Sequence, residues 1–157
     1  MNEWNDSPEQ RPTQADFDPS EGCLDALHAW KNFGGLSRAE AYEKFCQAPE
    51  IYLEDFMFMG GVAFAYYYPV LERYVLESRV ETRDGNDVEA MWILASCIKL
   101  QYEARSIDYV FRARILGLVS HVRSNLAQYS IDSDEQGRID TAWHELESRL
   151  RAGHADR

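Results

Sequence analysis

The sequence predicts an all-α fold: a single compact bundle of six or seven helices around a central, nearly fully buried apolar helix. Three observations carry that expectation. Phe56–Leu71, FMFMGGVAFAYYYPVL, contains no charged side chain and lies between Glu54-Asp55 and Glu72-Arg73. It is shorter than the roughly 20 apolar residues a membrane span needs, and a helix apolar nearly all round must be covered by neighbours. Next, Ile107, Phe111, Ile115, Leu118, Val122, Leu126 and Tyr129 fall within about 100° of arc at 100° per residue, a strong amphipathic pattern. Finally, the chain shows no β-alternation of useful length and no internal repeat.

In chain order, residues 1–19 hold three prolines, five acids and one arginine and read as a disordered acidic tail. The helical domain is expected over 20–152, with 153–157 a short C-terminal tail. Ser20 reads as the N-cap of a helix over Glu21–Phe33 that buries Cys23, Leu27 and Trp30, with Gly34-Gly35 ending it. Ser37-Arg-Ala-Glu40 has the form of a capping box for a short helix to about Gln47. Pro49 suits the first position of the next helix. A stripe then runs through Phe56, Gly60, Ala63, Tyr67, Leu71 and Tyr74. Gly60-Gly61 either split this segment into two helices or admit a second backbone, and Pro69 is expected to kink it.

Arg83-Asp-Gly-Asn86 reads as a turn. Beyond it, Val88, Met91, Trp92, Ala95, Ile98 and Tyr102 form the inward stripe of one helix, and the pattern from Ile107 to Tyr129 predicts another. Asp132 and Ser133 cap a last helix to about Arg151, with Ile139, Trp143, Leu146 and Leu150 inward.

With 157 residues the chain can bury a real core, and 45% apolar residues with 13% aromatics exclude global disorder. The formal charge of −11 repels nucleic-acid phosphates and anionic lipid and attracts basic partners. Cys23, Cys46 and Cys97 are odd in number, far apart and set among apolar residues, which predicts three reduced core thiols and a cytoplasmic protein. The N-terminus lacks a basic stretch followed by an apolar one, so no secretory signal is expected.

Chemistry-bearing patterns are sparse. His28, His121, His144 and His154 sit singly on four segments, with no pair at metal-ligand spacing, so no metal is expected. No nucleophile elbow, activated cysteine or phosphate-binding glycine loop is present; no catalytic residue and no cofactor is predicted. Tyr66-Tyr67-Tyr68 spread over about 200° of a helix. Tyr67 faces inward, and Tyr66 and Tyr68 either hydrogen-bond across the bundle or line a pocket with Arg112 and Arg114. Arg105, Arg112 and Arg123 share a helix face. They are read as internal clamps on acidic helices, the alternative being an anion site or an oligomer seam. The acidic exterior comprises the tail, then Glu50, Glu54 and Asp55, then Glu77, Glu81, Asp84, Asp87 and Glu89. The last five form the candidate partner-binding cluster.

Asp55, Phe56, Met59, Ala63, Phe64, Tyr67, Pro69 and Tyr74, within EIYLEDFMFMGGVAFAYYYPVLERYV, resemble a segment of small uncharacterised bacterial proteins with an AFxYYxP-type helix. In size, acidity and helicity the chain is also similar to immunity proteins of bacterial toxin systems. That likeness implies an inhibitor that occludes a basic toxin or enzyme. The rival expectations are a small ligand-binding or enzymatic domain with the Tyr66, Tyr68, Arg112, Arg114 pocket, and a structural oligomer subunit such as a homodimer.

Overall fold

The computed structural model describes residues 4, 6–81, 88–104 and 107–153. Among them the chain is all-α, with eight α-helices and two 3-10 turns. The helices group into two compact units, residues 1–74 and 75–157, where the sequence reads as one bundle. The expected turn at 83–86, and Asp84, Asp87, Arg105 and His154, lie outside the described residues.

The first unit opens with a 3-10 turn, Pro8–Gln10, and the four-residue helix α1, Gln14–Phe17. These elements correct the expected tail. Thr13 and Asp16 close a capping box on α1, and Phe17 is fully buried, its ring against Trp30 and Tyr67. A segment with few apolar residues therefore holds on through one of them. Asp18, also buried, accepts the backbone N–H groups of Gly22 (2.7 Å) and Cys23 (3.3 Å). That carboxylate ties up the chain where a helix from Glu21 is expected; Glu21 instead adopts φ 53° and Gly22 φ 129°. Helix α2 consequently runs Leu24–Phe33, three residues shorter than expected, and buries Ala26, Ala29 and Phe33. Cys23 and Cys46 are exposed, which corrects their assignment to the core; Cys97 is buried, and none of the three is in a disulfide.

Helix α3, Arg38–Gln47, starts at the predicted capping box, with Ser37 and Glu40 bonded reciprocally. Helix α4, Pro49–Phe58, carries proline in its first turn as predicted. Both expectations for the glycine pair are met. Helix α4 stops before Met59 and helix α5, Gly61–Glu77, begins after Gly60. Gly60 donates its N–H to the Phe17 carbonyl at 2.7 Å, and a Cβ on Gly60 would lie 2.0 Å from the Asp16 carbonyl oxygen. Only glycine admits that approach. From Ala63 to Val75, α5 is buried except at Ala65, Glu72 and Arg73, and Pro69 lies within it. The Tyr67 hydroxyl donates to the carbonyls of Phe33 (2.9 Å) and Leu36 (2.8 Å), closing the α2 end onto α5. Burial pushes its pKa well above the usual phenol range.

The second unit is built from long helices. Helix α6, Val88–Ala104, buries Met91, Leu94, Ala95, Cys97, Ile98 and Gln101, and leaves the expected inward Trp92 and Tyr102 half-buried. Helix α7, Tyr109–Ser124, is N-capped by Asp108 and buries Ile115, Leu118, Val119 and Val122. It ends before the predicted Tyr129 because Asn125 leaves helical geometry (φ −135°, ψ 40°) and its amide donates to the His121 carbonyl. A 3-10 turn, Leu126–Gln128, follows, and the buried Tyr129 hydroxyl donates to the Val75 carbonyl at 2.9 Å. Helix α8, Ser133–Ala152, is capped by Asp132 and buries Ile139, Trp143, Leu146 and Leu150, the four residues its spacing predicts. The Trp143 indole N–H donates to the Met91 carbonyl at 2.7 Å, pinning α8 to α6.

Candidate functional site

The acid surplus is uneven. Residues 1–74 contain thirteen acids and five bases, a formal −8, and residues 75–157 contain fourteen and eleven, a formal −3. The candidate cluster Glu77, Glu81, Asp84, Asp87 and Glu89 belongs to the less acidic unit. Of its described members, Glu77, Glu81 and Glu89 are all exposed.

Helix α4 presents a face of different composition. At 100° per residue, Glu50, Glu54, Phe58 and Ile51 fall within about 100° of arc, and all four are exposed, Ile51 at 61% and Phe58 at 38%. Pro49, Leu53, Asp55 and Phe56 point the other way and are buried. Val62, at the start of α5, adds a further exposed apolar side chain. Large apolar side chains flanked by carboxylates on one rigid helix have the anatomy of an interface, an apolar centre with a polar rim. Hydropathy alone misses this face, since Ile51 and Phe58 look like core residues of an apolar segment. Their i, i+7 spacing, offset from Leu53 and Phe56, is the signal that separates them.

Asp55 is a correction to the expected acidic exterior. It is 3% exposed, and its carboxylate is held by His28 Nδ1 (3.0 Å) and the Asn32 side-chain amide (2.8 Å), both from α2. Lys44 donates to the Asn32 carbonyl at 2.6 Å, extending the network to α3. A buried carboxylate without such partners would be strongly destabilising. His28 therefore ties α2 to α4, although most of its side chain is exposed.

Tyr66 and Tyr68 are both buried within the first unit. The Tyr66 hydroxyl donates to Asp6 and the Arg38 guanidinium lies 3.9 Å above its ring; Tyr68 is fully buried against Phe64. Arg112 and Arg114 belong to the other unit, on α7, where Arg112 lies 5.6 Å from the Tyr109 ring. Apolar demand draws the tyrosine rings inward. Arg123 is the internal clamp expected of it. It donates to Asp140 and to Glu147 on α8, each at 2.8 Å, while Arg151 donates to the second Glu147 oxygen at 3.0 Å. These bonds hold the Glu147 carboxyl below its ordinary range.

A cleft of about 630 Å³ opens between α6 and α8, lined by Trp92, Ser96, Asp134, Gly137, Arg138, Thr141, Ala142 and Glu145. The Arg138 guanidinium stands 5.6 Å from the Trp92 ring. Gly137 and Thr141, small residues at i, i+4 on α8, leave the space. Among the described residues no group of three or more His, Cys, Asp or Glu is placed to hold a metal ion. No helix among them is long and apolar enough to cross a membrane. No family model, curated protein or solved structure matches this chain.

Proposed function

We propose that this protein is an acidic protein-binding module, most concretely a bacterial immunity or inhibitor protein that neutralises a basic toxin or enzyme by occlusion in the cytoplasm. The observation that carries the reading is the exposed α4 face, where Ile51 and Phe58 stand beside Glu50 and Glu54 in the unit of charge −8. The acids steer a basic partner into encounter, and the apolar pair anchors it after water is expelled. The exposed residues Glu77, Glu81 and Glu89 add to the acidic exterior. Three cysteines without a disulfide suit a reducing compartment. The test is capture of partners from the native cell on the parent protein and on an Ile51→Asp/Phe58→Asp variant, followed by binding measurements with each purified candidate. A basic partner retained by the parent and lost by the variant supports the reading. A partner that is acidic, or held equally by both, removes it.

A ligand-binding reading rests on a different observation, the α6–α8 cleft. Trp92 and Arg138 there supply a ring face and a cation beside the carboxylates of Asp134 and Glu145, which suits a small planar molecule that carries both charges. Native mass spectrometry of the protein purified from its own cell separates the two, since only this reading expects a co-purifying small molecule.

A further inference from the structure

Residues 4 and 6 act as a ligand for the rest of their own unit. The Asp6 carboxylate accepts the Arg38 backbone N–H at 2.7 Å and the Tyr66 hydroxyl. Arg11 Nε lies 3.9 Å from it, buried and without a hydrogen-bond partner. Arg38 opens the ten-residue helix α3. Its N–H is therefore one of the amides a helix cannot satisfy for itself, at the end where the helix dipole favours a carboxylate. The Tyr66 hydroxyl is positioned from the opposite side, because Arg38 Nε donates to the Tyr66 carbonyl at 2.6 Å and its guanidinium covers the ring.

Beside this carboxylate cradle lies an aromatic slot. Trp4 packs edge-on against Tyr42, with ring centroids 5.9 Å apart. The Arg73 guanidinium lies 5.2 Å from the Trp4 ring and 4.5 Å from the Tyr42 ring. Three of the five basic residues of this −8 unit, Arg11, Arg38 and Arg73, thus converge on one tryptophan and one carboxylate. Arg38, Tyr42, Tyr66 and Arg73 stand on α3 and α5, whose packing comes from Phe45, Tyr67 and Tyr74. The receptor surface is therefore built on the body of the unit, and the arm supplies only Trp4 and Asp6.

We propose that this Arg38–Tyr66 cradle and Tyr42–Arg73 slot are a receptor for a protein segment carrying an aromatic residue and, two positions later, a carboxylate, and that Trp4 and Asp6 occupy it in cis until such a segment displaces them. The proposal is independent of the α4 face, since the element recognised is acidic and the surface that recognises it is the basic exception on an acidic unit. Displacement exchanges like for like: the incoming carboxylate takes the Arg38 N–H and the Tyr66 hydroxyl, and the incoming ring takes the Tyr42–Arg73 slot.

The experiment uses a synthetic peptide of residues 2–9 and calorimetric titration into three proteins: the parent, a variant lacking residues 2–7, and full-length Trp4→Ala/Asp6→Asn. The two released proteins are expected to bind the peptide one to one, and the parent about tenfold or more weaker because Trp4 and Asp6 already hold the site. Peptides with Trp4→Ala or Asp6→Asn, and a released protein with Arg73→Ala, should each weaken binding by about tenfold. Circular dichroism establishes that each released protein keeps its helix content; if the deletion unfolds, the full-length double variant carries the test. Folded released proteins that do not bind the peptide overturn the proposal, as does equal binding by the parent. Unfolding of both released proteins also overturns it, because the arm is then an integral staple rather than a displaceable occupant.

Discussion

The two units are held together by different means. Among the described residues of 75–157, the long helices α6, α7 and α8 have mainly aliphatic cores and a register set by Trp143 and the Arg123 clamp. In residues 1–74 the short helices α1 to α4 pack with the longer α5 around an aromatic core, joined by Phe17, Phe33, Phe45, Phe56 and Tyr67. The buried carboxylates Asp18 and Asp55, and the Gly60 crossing, supply the junctions between them. Helices α1 to α4, of ten residues or fewer, are marginal alone, so outside α5 this unit depends on contacts between segments distant in sequence. Long amphipathic helices carry more of their own instructions.

The largest effects should come from removing an aromatic centre of either unit. Trp143→Ala, in the second, should cost about 3–5 kcal/mol. Deleting residues 2–19, in the first, should cost at least as much, because it removes the buried Phe17 ring and the Asp18 bonds together. Thermal melts check both. Deletion with an unchanged melting temperature would return residues 1–19 to the status of a tail and erase the contrast.

Two glycines give a sharper comparison, with opposite signs. Gly60→Ala sets a methyl against the Asp16 carbonyl and should destabilise by about 1–3 kcal/mol. Gly137→Ala, inside α8 with open space around the added carbon, should stabilise by about 0.5–1 kcal/mol. Denaturant midpoints read both. Equal signs would mean that close backbone approach is not what distinguishes the first unit.

A smaller effect depends on pH. Hydrogen bonds from Arg123 and Arg151 hold the Glu147 carboxyl below its usual value of 4.5. A lowered carboxylate contributes stability that is present above the unfolded value and lost as pH falls through the folded one. Glu147→Gln should therefore cost about 0.5–1 kcal/mol at pH 7 and nothing additional in strong acid, flattening the acid limb between. Chemical denaturation from pH 7 to pH 2 provides the curve; a parallel offset at every pH would show that packing, not ionisation, is what the variant lost.

Thiol labelling involves no change in stability. Cys23 and Cys46 should react at once in the native protein and Cys97 only on unfolding. A single fast thiol, or three, would contradict the burial assigned to the two units.

The same contrast explains what could be read in advance. In the second unit, Asp132 as cap and Ile139, Trp143, Leu146 and Leu150 as core follow from spacing alone, since each depends on residues within one helix. The capping box at Ser37 and the break at Gly60 were legible for the same local reason. The α2 start was not, because Asp18 reaches forward to capture Gly22 and Cys23. Nor was Asp55, whose acidity suggests the surface until His28 and Asn32 are brought beside it by folding. Of the candidate site, charge indicated an acidic binder, but the α4 face emerges only once Leu53 and Phe56 are known to point inward and Ile51 and Phe58 outward.

The central claim is that this protein meets a basic partner through charge steering and an apolar anchor on α4. The association rate with the captured partner tests it most directly, measured from about 0.1 M to about 1 M salt, where the Debye length shrinks from about 10 Å to about 3 Å. The rate should fall steeply with salt while dissociation changes less. Glu50→Gln/Glu54→Gln should lower the rate at low salt and converge with the parent at high salt, and Glu77→Gln/Glu81→Gln/Glu89→Gln should do so less. A flat association rate across this range, or one that the α4 substitutions leave unchanged, would contradict the account.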